Sequence, residues 1–158
     1  MENKELYEVK FDGILLKRGF WLYMWKIKHG NNTFYYVGRT GDTSSPNAGA
    51  PFNRMATHFN FRATAKGNCI TNQLKHKKIN PTDCSYQLLA YGPIFPEQKG
   101  MENHKVYRDK IALLEAELAH RMKNELGHEV LGSHPKRKSI EDATLFNEIW
   151  RKLKNKLL

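Results

Sequence analysis

Two tyrosines, a paired guanidinium and imidazole, and one isolated carboxylate are the groups whose types and spacing suit chemistry in this chain. Tyr23 and Tyr36 lie in two short runs, Phe20 to Lys28 and Thr33 to Gly38, that alternate and are rich in aromatic and β-branched residues. Gly30-Asn31 between them fits a two-residue type II′ turn with glycine at its first central position. Such a turn sets His29 opposite Asn32 and Trp25 opposite Tyr36, so Tyr23 falls diagonally from Tyr36 on one side of the pair. Diagonal neighbours lie about 7 to 8 Å apart, within reach of a shared ligand for phenols. A one-residue slip would separate them, and the alternative reading is two ordinary core aromatics.

The guanidinium and imidazole follow a loop from Arg39 to Ala50 that is rich in Gly, Ser, Asn and Pro. Pro51 suits a first helical position. Beyond it, Phe52, Met55, Phe59 and Ala63 form an apolar stripe at helical spacing, while Arg54, His58 and Arg62 stand at i, i+4 and i+8 on a neighbouring face. The carboxylate belongs to a long helical segment from about Glu102 to Leu126, with Gly127 in C-cap position. Glu117 has Arg121 at i+4 and reads as an ordinary surface pair. Glu115 has Ile111, Ala112, Leu118 and Ala119 as its helical neighbours, so it faces the buried side. An ionised carboxylate buried there is costly unless it is paired from another element or bound to a metal.

These residues, taken in order, resemble the GIY-YIG nuclease family. Tyr23 stands where the first motif has its tyrosine, in Trp21-Leu22-Tyr23 instead of Gly-Ile-Tyr, and Tyr36-Val37-Gly38 matches the second with Val for Ile. Arg54 matches the arginine on the first helix after the second motif, and His58 matches the histidine that some nucleases carry four residues later. Glu115 stands in a Leu-Glu context like that of the family's metal ligand. The resemblance covers roughly residues 20–126, with the flanks as additions to a single domain spanning 1–158. It implies an α+β fold, a small antiparallel β-sheet flanked by α-helices, and a compact restriction-type nuclease rather than a homing enzyme.

The implied chemistry is hydrolysis of a phosphodiester, which needs an activated water, a counter-charge on the phosphate and relief for the leaving oxygen. The resemblance implies Tyr23 as the base for the water, Tyr36 as a partner of phosphate or water, and Arg39 and Arg54 as the charges that stabilise phosphate and phenolate. His58 either positions the phosphate or shares in proton transfer. A single carboxylate suits Mg²⁺ or Mn²⁺, because such ions keep several waters and take further oxygens from the substrate. The family's phosphate-binding asparagine has Asn124 as its nearest candidate, nine residues after Glu115, with Asn147 more remote.

Composition agrees with a polyanionic partner: 26 Lys and Arg face 16 Asp and Glu, for a net charge of +10. DNA is the expected partner, with RNA as the alternative polymer, and the protein is expected to act as monomer or homodimer. Arg62 and the basic runs holding Lys77, Lys78, Lys136 and Arg137 are candidate backbone contacts, each readable also as a solvated surface. Cys69 and Cys84 form no metal-binding pattern and read as reduced cytoplasmic thiols. No apolar run is long enough to span a membrane, and no secretory leader is visible. A noncatalytic basic nucleic-acid-binding protein on the same fold is the competing reading.

The remaining layout completes the expectation. Leu6 to Leu16 reads as an outer hairpin turning at Asp12-Gly13, Ile70 to Lys78 as a short basic helix stopped by Pro81, and Cys84 to Tyr91 as a strand beside the tyrosine hairpin. Gly92 to Gly100 and Gly127 to Lys138 read as loops. Ser139 and Asp142 open a last helix as a capping-box variant. Its apolar side is Ala143, Phe146, Trp150 and Leu153, which suits packing against the core or dimerisation.

Overall fold

A computed structural model describes residues 4–62 and 64–157. Its centre is the hairpin of β1 (Phe20–His29) and β2 (Asn32–Arg39). His29 pairs with Asn32 and Trp25 with Tyr36, the register required by a two-residue turn. Gly30 has φ +54° while Asn31 does not enter positive φ, which matches type II′ and excludes type I′. The antiparallel strand β3 (Ser85–Phe95) flanks β1, and β4 (Glu129–Leu131) runs parallel to β2, giving the order β3-β1-β2-β4.

The fold is α+β, and the sheet is mixed rather than purely antiparallel. β4 lies inside the segment read as loop, because three residues are too few to show a period. Its alternation is nevertheless physical, with Val130 packing on one face of the sheet and Leu131 on the other. β3 runs past Gly92-Pro93, where a loop is expected from sequence. A bulge absorbs the extra residues there, since Leu22 pairs with Tyr91 but Phe20 with Phe95. Proline is tolerated because β3 is an edge strand whose outer groups need no partner.

Four helices cover the sheet in two layers. On one face, α1 (Pro51–His58) and α2 (Cys69–His76) pack Met55, Phe59, Ile70 and Leu74 against Tyr23, Trp25, Ile27 and Phe34. On the other, α3 (Met101–Asn124) and α4 (Ala143–Leu157) bury Ile111, Leu118, Phe146 and Ile149 against Leu22, Met24, Tyr35 and Val37. Successive strand residues therefore serve different cores, which is why the strands are nearly continuously apolar. α4 packs against its own core, and its N-terminal cap is Asp142, whose Oδ1 accepts from the Leu145 N–H at 2.8 Å. Ser139 lies outside the helix and Ala143 is exposed, so Ile149 completes the apolar side.

Two further expectations are corrected. The segment 4–12 forms no strand, and Gly13–Leu16 is a single 3-10 turn instead of the second arm of a hairpin. Leu6, Tyr7 and Val9 remain exposed, while Phe11 stacks on Phe52 at 4.6 Å. α1 stops at His58, short of Arg62, and Ala63 lies outside the described residues. The Asn60 side chain explains the stop: its Oδ1 accepts the Arg62 N–H at 3.0 Å, replacing the bond a continuing helix would make.

Candidate active site at the end of the central hairpin

The geometry begins with Gly38. It pairs with Tyr23 across the hairpin, and the Tyr23 ring lies over it so closely that a Cβ there would sit 2.6 Å from Cζ and the hydroxyl oxygen. Only glycine lets the phenol lie flat across β2, which gives the Gly of the Tyr-Val-Gly run a physical reason. Gly38→Ala is expected to displace the ring and lower stability by about 1–3 kcal/mol, as overpacking does. A denaturation midpoint equal to that of the wild-type chain would contradict this contact.

The Tyr23 hydroxyl meets His58 Nε2 at 2.7 Å, inside the core. Burial lowers His58 to about 4 and, against the pull of Arg54, raises Tyr23 to about 12. Near neutral pH the imidazole is therefore neutral and the phenol protonated, so Tyr23 donates and Nε2 accepts. The remaining ring proton, on Nδ1, faces the Gly67 carbonyl without reaching full hydrogen-bond geometry. This overturns the expectation of a phenolate held by cations: the cations are in place, but desolvation prevails. Tyr36 joins the group, with its ring 5.0 Å from that of His58, and burial raises its phenol as well.

The buried neutral imidazole makes stability depend on pH. An unfolded chain takes up the His58 proton near pH 6.5, whereas the folded chain resists it until about pH 4. The His58 contribution is thus complete above about pH 6.5 and lost as pH falls toward 4, a change of about 3 kcal/mol. Urea midpoints measured from pH 7 to pH 4 should show this fall in the wild-type chain and a much smaller one in His58→Gln. Equal slopes would place His58 in contact with solvent.

Arg54 stands beside the same phenol and donates from Nη2 to Asp42 Oδ2 at 3.1 Å. The loop before α1 thus orients its guanidinium. Pro51 opens this helix, and the Asn53 side chain reaches back to the Ala50 N–H. The helix thereby presents Arg54 and His58 one turn apart to the tyrosines.

Glu115 comes from the opposite layer. It is 7% exposed, as its apolar helical neighbours require, and its carboxylate is paired with Arg39. Arg39 is the last residue of β2 and lies within electrostatic range of Tyr23, Asp42 and Arg54. One guanidinium at the strand end thus joins the acid on the α3 side to the tyrosines on the α1 side. Of the two ways to accommodate a buried Glu115, metal binding or a pair from another element, the structure shows the pair, made by the residue that directly follows Tyr36-Val37-Gly38.

The other expected contacts are placed elsewhere. Arg62 is exposed beyond the end of α1. Lys77 pairs with Glu129 and lies over Phe34, while Lys78 and Lys136 are exposed. Arg137 does not point to solvent as a free cation: it binds Glu117 with Nε at 2.5 Å and Nη2 at 3.3 Å. Glu117 is correspondingly buried, held also by Arg121, and is no surface pair. Asn124 is exposed and folds back on His120, and its nine-residue offset puts it about 13 Å along the helix from Glu115. Asn147 is exposed on α4.

Besides Cys69, whose thiol lies beside the Tyr36 phenol, three residues that the sequence pattern does not single out approach the site. Asp42 orients Arg54, Arg108 lies within electrostatic range of Arg39, and His134 packs against the Val37 backbone near the same guanidinium. Arg108 precedes Glu115 by seven residues, two helical turns on one face, so that spacing carried its signal. The other two lie in loops, where no periodicity marks them.

A metal ion can be tested against these donors. Among the described residues no three His, Cys, Asp or Glu side chains cluster as a ligand set. Glu115 offers hard carboxylate oxygens without a soft donor, a type that suits Mg²⁺ or Mn²⁺ drawing its other ligands from water and phosphate, and a cation there would have to share or displace the Arg39 guanidinium that now pairs with it. Cys69 and Cys84 are free thiols, and no helix among the described residues is long and apolar enough to cross a membrane. No family model, curated protein or solved structure matches this chain.

Proposed function

We propose that this chain is a divalent-metal-dependent endonuclease of the GIY-YIG type that hydrolyses phosphodiester bonds in DNA. The observation that carries the reading is the buried Tyr23–His58 hydrogen bond, laid across Gly38 and flanked by Arg54 and the Arg39–Glu115 pair. A core needs none of this polarity, and a surface that only binds phosphate needs no phenol poised on a neutral imidazole.

The arrangement supplies a proton path. The Tyr23 hydroxyl is buried, so the path operates once substrate binding admits a water to it. That water gives its proton to the Tyr23 oxygen as the Tyr23 proton passes to His58 Nε2, the imidazole becomes cationic, and hydroxide reaches phosphorus. The negative charge of the bound phosphate offsets the cost of that imidazolium, and Arg54 and Arg39 stabilise the non-bridging oxygens. Tyr36, beside the same imidazole, is positioned to hold the water or the phosphate. Mg²⁺ or Mn²⁺, held by Glu115, would supply charge for the leaving 3′ oxygen. The noncatalytic alternative keeps the basic surface and gives Glu115 only the structural role of pairing Arg39, and the Tyr23–His58 contact only that of satisfying two buried polar groups.

The decisive assay is incubation of the purified chain with supercoiled plasmid and Mg²⁺ or Mn²⁺, with chelator as the control. Metal-dependent nicking or linearisation supports the proposal. Binding without cleavage of any DNA, single-stranded or duplex, would transfer the assignment to the noncatalytic reading.

A further inference from the structure

On the other flank of α1 lies a groove of about 700 Å³ that the proposed chemistry does not use. Phe11, Trp25, Phe52, Phe59 and Tyr86 line it, together with Phe61 at its rim. The inner rings, Trp25, Phe59 and Tyr86, belong to the core beneath the groove, whereas Phe11 and Phe61 stand open at its edge. Trp25 and Tyr86 meet Phe59 edge to face at 5.0 and 4.7 Å, Phe11 lies tilted over Phe52, and Phe11 and Phe61 are about half exposed. Cations stand at the Phe61 end: Lys75 sits over the Phe61 ring at 5.5 Å and the exposed Arg62 follows Phe61, while the lining itself carries one charge of each sign, Lys10 and Asp12. Lys10 is paired with the exposed Glu8.

Half-exposed aromatic faces next to cations are the combination that holds a base by stacking while charge tracks its phosphates, and Phe61 with Lys75 and Arg62 supplies it here. An apolar peptide or an acyl chain would satisfy the walls but gives the cations no partner. The groove shares α1 and the central hairpin with the tyrosine site, although none of Tyr23, Tyr36, Arg54 or His58 lines it. Met55 and Phe59 line it from the helix that carries Arg54 and His58 and the residue after it, and Trp25, in its wall, is the direct cross-strand partner of Tyr36. A strand bound along α1 at the tyrosine site would run past this helix toward the groove on its other flank.

We propose that this groove stacks one unpaired base of the bound strand, so that the substrate is single-stranded or locally opened DNA rather than intact duplex. This deepens the nuclease reading and rests on it for the placement of the phosphate. An intact duplex keeps its bases stacked on each other and has none to insert.

The test uses the wild-type full chain in chelator, where metal-dependent cleavage is silent. The probes are a single-stranded DNA oligonucleotide carrying one 2-aminopurine, moved stepwise along it, and the same sequence as duplex at equal salt. The single strand should bind at least about tenfold more tightly, with fluorescence quenched at one position. Phe11→Ala and Phe61→Ala, at half-exposed positions, should each weaken single-strand binding by about five- to a hundredfold while leaving duplex binding and the salt slope unchanged. Equal affinity for both forms, or quenching at no particular position, would overturn the proposal. So would a dimer of this chain that Phe11→Ala dissociates, since the groove would then belong to a second copy. Plasmid cleavage without single-strand preference defeats only the groove, whereas the preference with no cleavage of any DNA defeats only the nuclease.

Discussion

Glu115→Gln should lower metal-dependent cleavage by about a thousandfold or more while leaving DNA binding in chelator within about threefold. The size follows from the role proposed for the carboxylate. A neutral amide holds a divalent cation far more weakly than a carboxylate and brings no charge to it, and one such electrostatic contribution is worth about 10²–10³ by itself. Binding is spared because the basic surface and the guanidinium of Arg54 are untouched. The substitution also leaves Arg39 without its anionic partner. Breaking a buried pair costs about 3–5 kcal/mol when one side is removed, although the amide oxygen of glutamine can still accept from Arg39 and so moderates the loss. Melting curves must therefore accompany the rates. A folded Glu115→Gln that cleaves at wild-type rate would remove this carboxylate from the chemistry.

Tyr23→Phe should reduce kcat by about 10²–10⁴ at saturating DNA, the range of a lost proton-transfer group, with little change in affinity. The two shapes differ by one hydroxyl, so the ring still covers Gly38. The orphan is His58: its Nε2 loses the hydroxyl donor inside a dry core, at a cost of about 1–3 kcal/mol in stability. His58→Gln serves as the companion, because an amide can still hydrogen-bond the phenol but is no proton acceptor. Both variants should share a pH-independent residual rate. Equal losses of binding and rate in Tyr23→Phe would instead make the hydroxyl a positioning group.

Much of this geometry is legible in the sequence because short-range rules set it. A glycine at the first turn position dictates the hairpin register, and with it the side on which Tyr23 and Tyr36 appear. The apolar neighbours of Glu115 announce its burial, and Pro51 announces the start of α1. What the sequence hides has a common cause. Arg137 reaching back to Glu117, Arg39 reaching across to Glu115, and β4 adding to β2 are all contacts between distant segments, for which local periodicity carries no signal. The early end of α1 is a competition between the Asn60 side chain and the helix ladder, decided by one hydrogen bond. The cations near Tyr23 can be read from the chain, but the dryness of their surroundings cannot, and desolvation reverses their effect on the phenol.

Arg39 sits where β2 ends, with the acid behind the sheet and the phenols in front. The two halves of the proposed machinery thus belong to separately packed layers that share the strands between them. If the chain cleaves DNA as proposed, loosening either helical layer should stop cleavage before the sheet itself comes apart, so loss of cleavage on warming should precede loss of strand signal. A fragment trimmed to the hairpin and α1 would keep the phenols and the imidazole yet remain inert.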